Sequence, residues 1–140
     1  MNQHEARLLY TAKAHTTGGR DGGASRTDDG RIDLKFSTPG TGGTGTNPEQ
    51  LFAAGWSACF ISAMHVAARK MKVSLPATLA DDVEVDLMTT GESYFIRARH
   101  NISVPGVAPE TARAVIDAAD KLCPYSNATR GNIEVAFNLV

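Results

Sequence analysis

Thiols are scarce in this chain: of 140 residues only Cys59 and Cys123 are cysteines. No Cys-x-x-Cys pair exists, which removes the usual dithiol redox motif, and two distant cysteines cannot build a zinc site. The four histidines, His4, His15, His65 and His100, have no metal-ligand spacing. Charge of one sign is equally lacking. Fourteen basic residues against fifteen acidic ones leave a net charge of −1, which argues against nucleic acid or a membrane surface held by general electrostatics. No segment reaches the roughly 18 consecutive apolar residues that a bilayer requires. The opening Met-Asn-Gln-His-Glu-Ala-Arg has no apolar stretch, so a signal peptide is not expected, and a cytoplasmic location follows as the default expectation. Gly40-Thr-Gly-Gly-Thr-Gly-Thr lacks the lysine of a phosphate loop, so nucleotide binding is discounted.

What remains is ordinary globular material, 42% apolar and 21% charged, with the length of one domain spanning residues 1–140. Arg7 to Thr16 reads as a strand that ends at the glycine-rich turn Gly18-Gly19-Arg20-Asp21-Gly22-Gly23. Ile32, Leu34 and Phe36 alternate with polar residues, the period of a strand with one wet face. Asn47-Pro48-Glu49-Gln50 is a helix start, with an Asn cap, a proline at the first helical position and an acid in the first turn. The helix runs to about Lys72 and is apolar on most sides, so burial on most sides is expected. The cations Arg69, Lys70 and Lys72 suit its C-terminus better than they suit a phosphate.

Val83 to Leu87 and Phe95 to Val104 alternate around Gly91-Glu92-Ser93, which predicts a hairpin. Pro109 opens a second helix with Ala112, Val115, Ile116, Ala119 and Leu122 on one face, and Ile133, Val135, Phe137 and Leu139 form a closing strand. The order predicts an α+β fold with mainly antiparallel sheet around a long buried helix. That helix, about 37 Å long at 1.5 Å per residue, is large for the core of a 15 kDa monomer, so an obligate homodimer is expected.

Cys59 lies in the apolar helix with Phe52, Gly55, Trp56, Ser62, Ala63 and Val66 on its face. Burial alone raises a thiol pKa and makes it inert, so a reactive Cys59 needs a cation. The helix start is about three turns away, too far for its dipole, and no His stands one turn off. Arg20 is the better candidate, because a guanidinium stays charged when partly buried; its alternative is a solvated turn residue. Glu49 could clamp that arginine or simply favour the helix start. On composition and spacing the function stays open.

Three strings change that: Thr46-Asn-Pro-Glu-Gln-Leu-Phe-Ala-Ala-Gly-Trp-Ser-Ala-Cys-Phe, Gly18-Gly-Arg-Asp-Gly and Cys123-Pro-Tyr-Ser-Asn-Ala-Thr-Arg-Gly-Asn. Together, in this order and over about Leu8 to Leu139, they resemble the organic hydroperoxide resistance (Ohr) branch of the OsmC/Ohr family. The resemblance implies an intertwined homodimer with active sites at the subunit boundary. It implies that Cys59 is the peroxidatic cysteine and Cys123 the resolving one, with Arg20 holding the thiolate and Glu49 pairing with that arginine. The implied reaction reduces organic hydroperoxides to alcohols through a Cys59–Cys123 disulfide. The resemblance implies no bound cofactor and an external dithiol as reductant, dihydrolipoamide or a lipoylated protein. Trp56 stands where the family leads one to expect tyrosine.

Phe36, Phe52, Trp56, Phe60 and Met64 are candidate walls for an alkyl chain, with plain core packing as the alternative for each. Glu49 and Cys59 are about 15 Å apart along a straight helix, so one arginine cannot touch both. Either Gly55 breaks the helix or Arg20 and Glu49 reach Cys59 from the second subunit, and the second is the expectation. Two rival readings stand beside this one: a broader OsmC-like peroxidase, and a non-catalytic apolar-ligand binder or thiol sensor on the same scaffold.

Overall fold

The computed structural model describes residues 5–140; the opening Met-Asn-Gln-His, with its His4, lies outside them. The chain divides into two compact units, one up to Pro48 and one from Glu49 to Val140.

The first unit is a three-stranded antiparallel sheet, β1 (Ala14–Thr17), β2 (Ala24–Thr27) and β3 (Asp33–Lys35) in that order. Regular strand begins only at Ala14, later than the predicted Arg7, because the segment before it makes no ladder pairing in this chain. The β1–β2 turn needs its glycines. Gly18, Gly19 and Gly22 have positive φ, and a Cβ on Gly23 would come within 2.3 Å of the Gly19 and Thr17 carbonyl oxygens. Phe36 leaves the sheet to pair with Thr46 in an isolated bridge, which closes the Gly/Thr loop.

The second unit holds α1 (Pro48–Met71) from its second residue on, β4 (Ala80–Thr89), β5 (Tyr94–Ser103), α2 (Pro109–Leu122), α3 (Pro124–Thr129) and β6 (Val135–Leu139). Helix α1 is continuous through Gly55, so the expected alternative of a break there is excluded. It ends at Lys72, whose φ of 59° is left-handed. Val73 N–H donates to the Ala68 carbonyl at 2.8 Å and Lys72 N–H to that of Arg69 at 3.3 Å, the paired bonds that close a helix C-terminus.

By length and composition α1 could cross a membrane, a property it shares with the core helix of a globular domain. Its Trp56, Phe60, Ala63, Met64, Ala67 and Ala68 are buried. Full burial on most sides is not observed. Leu51, Ala54, Ala58, Ser62 and His65 recur at helical spacing along an exposed stripe, because this chain packs the helix from one side only.

The buried stripe meets Ala98 and Ile102 of β5 and Ala112, Val115, Ile116 and Ala119 of α2 in one core cluster. Leu122, expected on that α2 face, is 39% exposed, because α2 ends there and the chain turns into α3. β4 and β5 form the expected antiparallel hairpin, Ala80 opposite Ser103 through Thr89 opposite Tyr94. β6 joins β5 in parallel, since α2 and α3 carry the chain back across the sheet before it pairs.

The two faces of this sheet treat polarity in opposite ways. On the wet face, Asp86 accepts from Arg97 Nε at 2.6 Å and from Arg99 at 2.8 and 3.0 Å, while Arg99 also reaches Glu84 at 3.3 Å. The Arg99 and Arg97 bonds hold the Asp86 carboxyl well below the usual range, and those of Arg99 and Asn101 lower Glu84. On the inner face, His100 Nδ1 lies 2.7 Å from Asp81 Oδ2, with both side chains fully buried.

Two outcomes follow for stability. Since the folded pKa values of Asp86 and Glu84 are depressed, their contribution is complete above about pH 4.5 and is lost as pH falls below it. Urea titrations should therefore show a smaller loss of stability in Asp86→Asn than in the parent protein on going from neutral pH to about pH 3. At the helix end, Lys72→Gly relieves a left-handed side-chain residue and should raise stability by about 0.5–1 kcal/mol in the same assay.

Candidate active site

Cys59 sits mid-helix in α1, one turn after Trp56, and is half-buried. Cys123 is fully buried at the junction of α2 and α3. Its extended backbone, φ −69° and ψ 123°, ends one helix and caps the next: its N–H donates to the Ala119 carbonyl at 2.9 Å, and its own carbonyl accepts from Asn127 at 2.9 Å. Cys123 thus stands at the helix end expected from the sequence, whereas α3 after it is not expected there. Pro124, fit for a first helical position, was the available signal.

The two thiols, 64 positions apart in sequence, come close enough in the folded chain for Cys123 to bear on the ionisation of Cys59, and both are free. Burial is the largest influence on the Cys59 thiol and pushes its pKa up; the bond and charge of Cys123 push it further in the same direction. The backbone N–H of Tyr125, which faces the Cys59 sulfur, acts the other way. Tyr125 is set by Gly55. A Cβ there would stand 2.8 Å from the Tyr125 hydroxyl, so only glycine lets the ring lie on α1 without displacement. That accounts for a glycine in a helix interior, where it costs about 1 kcal/mol relative to alanine.

Around the thiols the aromatic side chains interlock. Phe52 meets Trp56 edge-on at 5.5 Å and Tyr125 edge-on at 5.7 Å. The Trp56 indole N–H donates to the Ser126 hydroxyl at 3.2 Å in the buried interior. His100 packs edge-on against Trp56 at 4.6 Å and stacks on Phe137 at 4.8 Å. The His100–Asp81 pair, Ser126 and α3 are what sequence reasoning missed around the thiols; for His100 it considered only metal spacing.

Of the five candidate wall residues, Trp56, Phe60 and Met64 are wholly buried core, the packing alternative for each. Trp56 in addition edges a cavity of about 290 Å³ shared with Ser126, Thr129, Arg130, Val135 and Phe137. Phe52 is half-buried beside Tyr125. Phe36 is buried within the first unit. Glu49 occupies the first turn of α1, about 15 Å of helix from Cys59. Arg20 lies in the glycine turn of the first unit. The second unit thus brings Cys59 and Cys123 together and leaves Glu49 at the far end of the same helix.

Because Cys123 is a cause of the raised Cys59 pKa, Cys123→Ala should lower it. Thiolate absorbance and alkylation rate, followed against pH, should shift to lower pH in that variant. An unchanged profile would mean that burial alone sets the value.

The sequence matches the OsmC-like protein family over residues 40–138. It is 46% identical over 137 residues to the organic hydroperoxide resistance protein of Xanthomonas axonopodis pv. citri, covering 95% of this chain and 96% of that protein. The crystal structure of the organic hydroperoxide resistance protein OhrB of Bacillus subtilis superposes with a TM-score of 0.89 at 36% identity, over 95% of this chain and all of that one. A Vibrio cholerae structure described as a putative organic hydroperoxide resistance protein, with captopril bound in one of its active sites, gives 0.88 at 34% identity over 96% of this chain and 94% of that one. With fold and sequence in agreement over nearly its whole length, the chain belongs to the OsmC-like family, among its organic hydroperoxide resistance proteins.

Proposed function

We propose that this protein is a cysteine-based peroxidase that reduces organic hydroperoxides to alcohols. The observation that carries the reading is the meeting of the chain's only two thiols, one half-buried and one wholly buried, across the α1–α3 contact. The names of the relatives support the same class of substrate.

The Cys59 thiolate attacks one peroxide oxygen. The O–O bond breaks, the peroxide is reduced, and the departing alkoxide takes a proton to leave as alcohol. Cys59 is left as a sulfenic acid. Cys123 sulfur then attacks the Cys59 sulfur; the S–O bond breaks and hydroxide leaves as water with the Cys123 proton. An external dithiol reopens the disulfide by exchange and is itself oxidised. Dihydrolipoamide or a lipoylated protein fills that role in this reading, and the protein works in the cytoplasm.

The raised pKa of Cys59 makes a cation necessary. Arg20 supplies it, oriented by Glu49, and both act from the second subunit of a homodimer, since α1 is unbroken between Glu49 and Cys59. The exposed stripe of α1, Leu51, Ala54, Ala58, Ser62 and His65, is the face that the second copy covers. The same raised pKa favours one competing reading, a thiol that binds or senses an apolar ligand without turnover.

Steady-state consumption of cumene hydroperoxide separates the two. With dihydrolipoamide as reductant the parent protein should turn over, thioredoxin should support it poorly, and Cys59→Ser should lose roughly three orders of magnitude or more. Absence of turnover with every dithiol, while Cys59 still titrates as a free thiol, would leave binding or sensing as the function.

A further inference from the structure

The thiol contact has a second tie running beside it. Trp56 precedes Cys59 by three positions, one turn back on the same face of α1, and Ser126 follows Cys123 by three positions, one turn into α3. The Trp56–Ser126 hydrogen bond therefore crosses between the same two helices as the thiol pair, one turn away along each. We propose that Trp56 and Ser126 are positioning residues for disulfide closure, their buried bond holding Cys123 within reach of an oxidised Cys59. This rests on the thiol-peroxidase reading above and adds to it what governs the resolving step.

Three features make the bond decisive rather than incidental. Helix α3 has six residues, too few to be stable alone, so its place is set by what it touches. Its head, Cys123, joins it to α2 through one extended residue, so a displacement of α3 carries the resolving sulfur with it. The donor, by contrast, is fully buried and packed on both sides. The indole is wedged between Phe52 and His100, and His100 is itself held by the buried Asp81. A donor packed in this way makes the hydroxyl come to it, and α3 comes with the hydroxyl.

Loss of the bond gives α3 room to move, because Trp56 and Ser126 both border the 290 Å³ cavity. The exposed ties from the Arg130 guanidinium to the Asp120 carbonyl and carboxylate hold the other end of α3, so near its head the Trp56–Ser126 bond is the polar side-chain tie to α1, beside the packing of Tyr125 on Phe52 and Gly55. Closure itself consumes no further reagent. The Cys123 sulfur bonds to the Cys59 sulfur, the S–O bond of the sulfenic acid breaks, and the hydroxide departs with the Cys123 proton as water. Two Cβ atoms must come to about 3.8 Å for that bond, a tolerance that a drifting helix head exceeds.

Single-turnover experiments on the full-length protein test the proposal. Reduced protein is mixed with one equivalent of cumene hydroperoxide and quenched at intervals with a dimedone-type trap; mass spectrometry then counts thiol, trapped sulfenic acid and disulfide. In Ser126→Ala the sulfenic acid should form at the parent rate, while disulfide closure slows roughly tenfold, the kinetic equivalent of one buried hydrogen bond. Trp56→Phe removes the donor instead and should slow closure similarly, and the double variant should be no slower than Trp56→Phe alone. Ser126→Thr, which keeps the hydroxyl, should restore closure.

Closure at the parent rate in both single variants would overturn the proposal. So would equal slowing of both steps in Ser126→Ala, which would mark a general loosening. If that variant fails to fold, Trp56→Phe and Ser126→Thr decide. A parent protein that forms neither sulfenic acid nor disulfide refutes the thiol-peroxidase reading itself. A parent that closes no faster than its variants refutes only the positioning role.

Discussion

Everything in the second unit depends on the burial of one stripe of α1 against β5 and α2. Trp56, Phe60 and Met64 lose all exposure there, each worth about 1.5–3 kcal/mol in transfer terms before the entropy of ordering is counted. That stripe sets the rotation of the helix about its axis. Because Cys59 is one turn from Trp56 and adjacent to Phe60, the same rotation places its sulfur at the edge of the core, opposite α3. The glycine at position 55, costly in a helix, is the accommodation that lets α3 lie against this edge through Tyr125.

A thiol at such an edge is caught between two requirements. Nucleophilic attack needs the thiolate, whereas burial and a neighbouring thiol both favour the protonated form. The backbone N–H of Tyr125 opposes them but does not outweigh them. Proximity of the second thiol therefore has opposite effects on the two halves of the proposed cycle. It shortens the path to the disulfide and, before oxidation, makes the attacking group harder to ionise. An arginine brought to the sulfur is the natural remedy, because it favours the anion without moving the cysteine that must later be reached.

The β4–β5–β6 sheet separates the electrostatics of the fold from its chemistry. Its wet face spends charge on a cross-strand cluster, Asp86 and Glu84 with Arg97 and Arg99, in registers where opposite strands bring them face to face. Its inner face hides a single polar pair, Asp81 and His100, among Trp56, Phe60 and Phe137. Asp81 Oδ1 and His100 Nε2 have no hydrogen-bond partner among the described residues. An enclosed pair of this kind restrains the ring against which Trp56 leans.

The order of elements was legible in the sequence wherever a local signal exists. Pro48 with Glu49, the alternation of Val83 to Leu87 and of Phe95 to Val104, and the single apolar face from Ala112 to Ala119 each reflect an interaction within a few residues of chain. Motif order made the family legible too. Tertiary structure alone decided the rest. No periodicity reveals that β6 pairs in parallel with β5, that Ser126 meets an indole 70 positions away, or that a buried aspartate braces His100. Those contacts join distant segments, and a local pattern specifies only which face of an element is apolar; what covers that face is settled when the whole chain competes for the same buried surface.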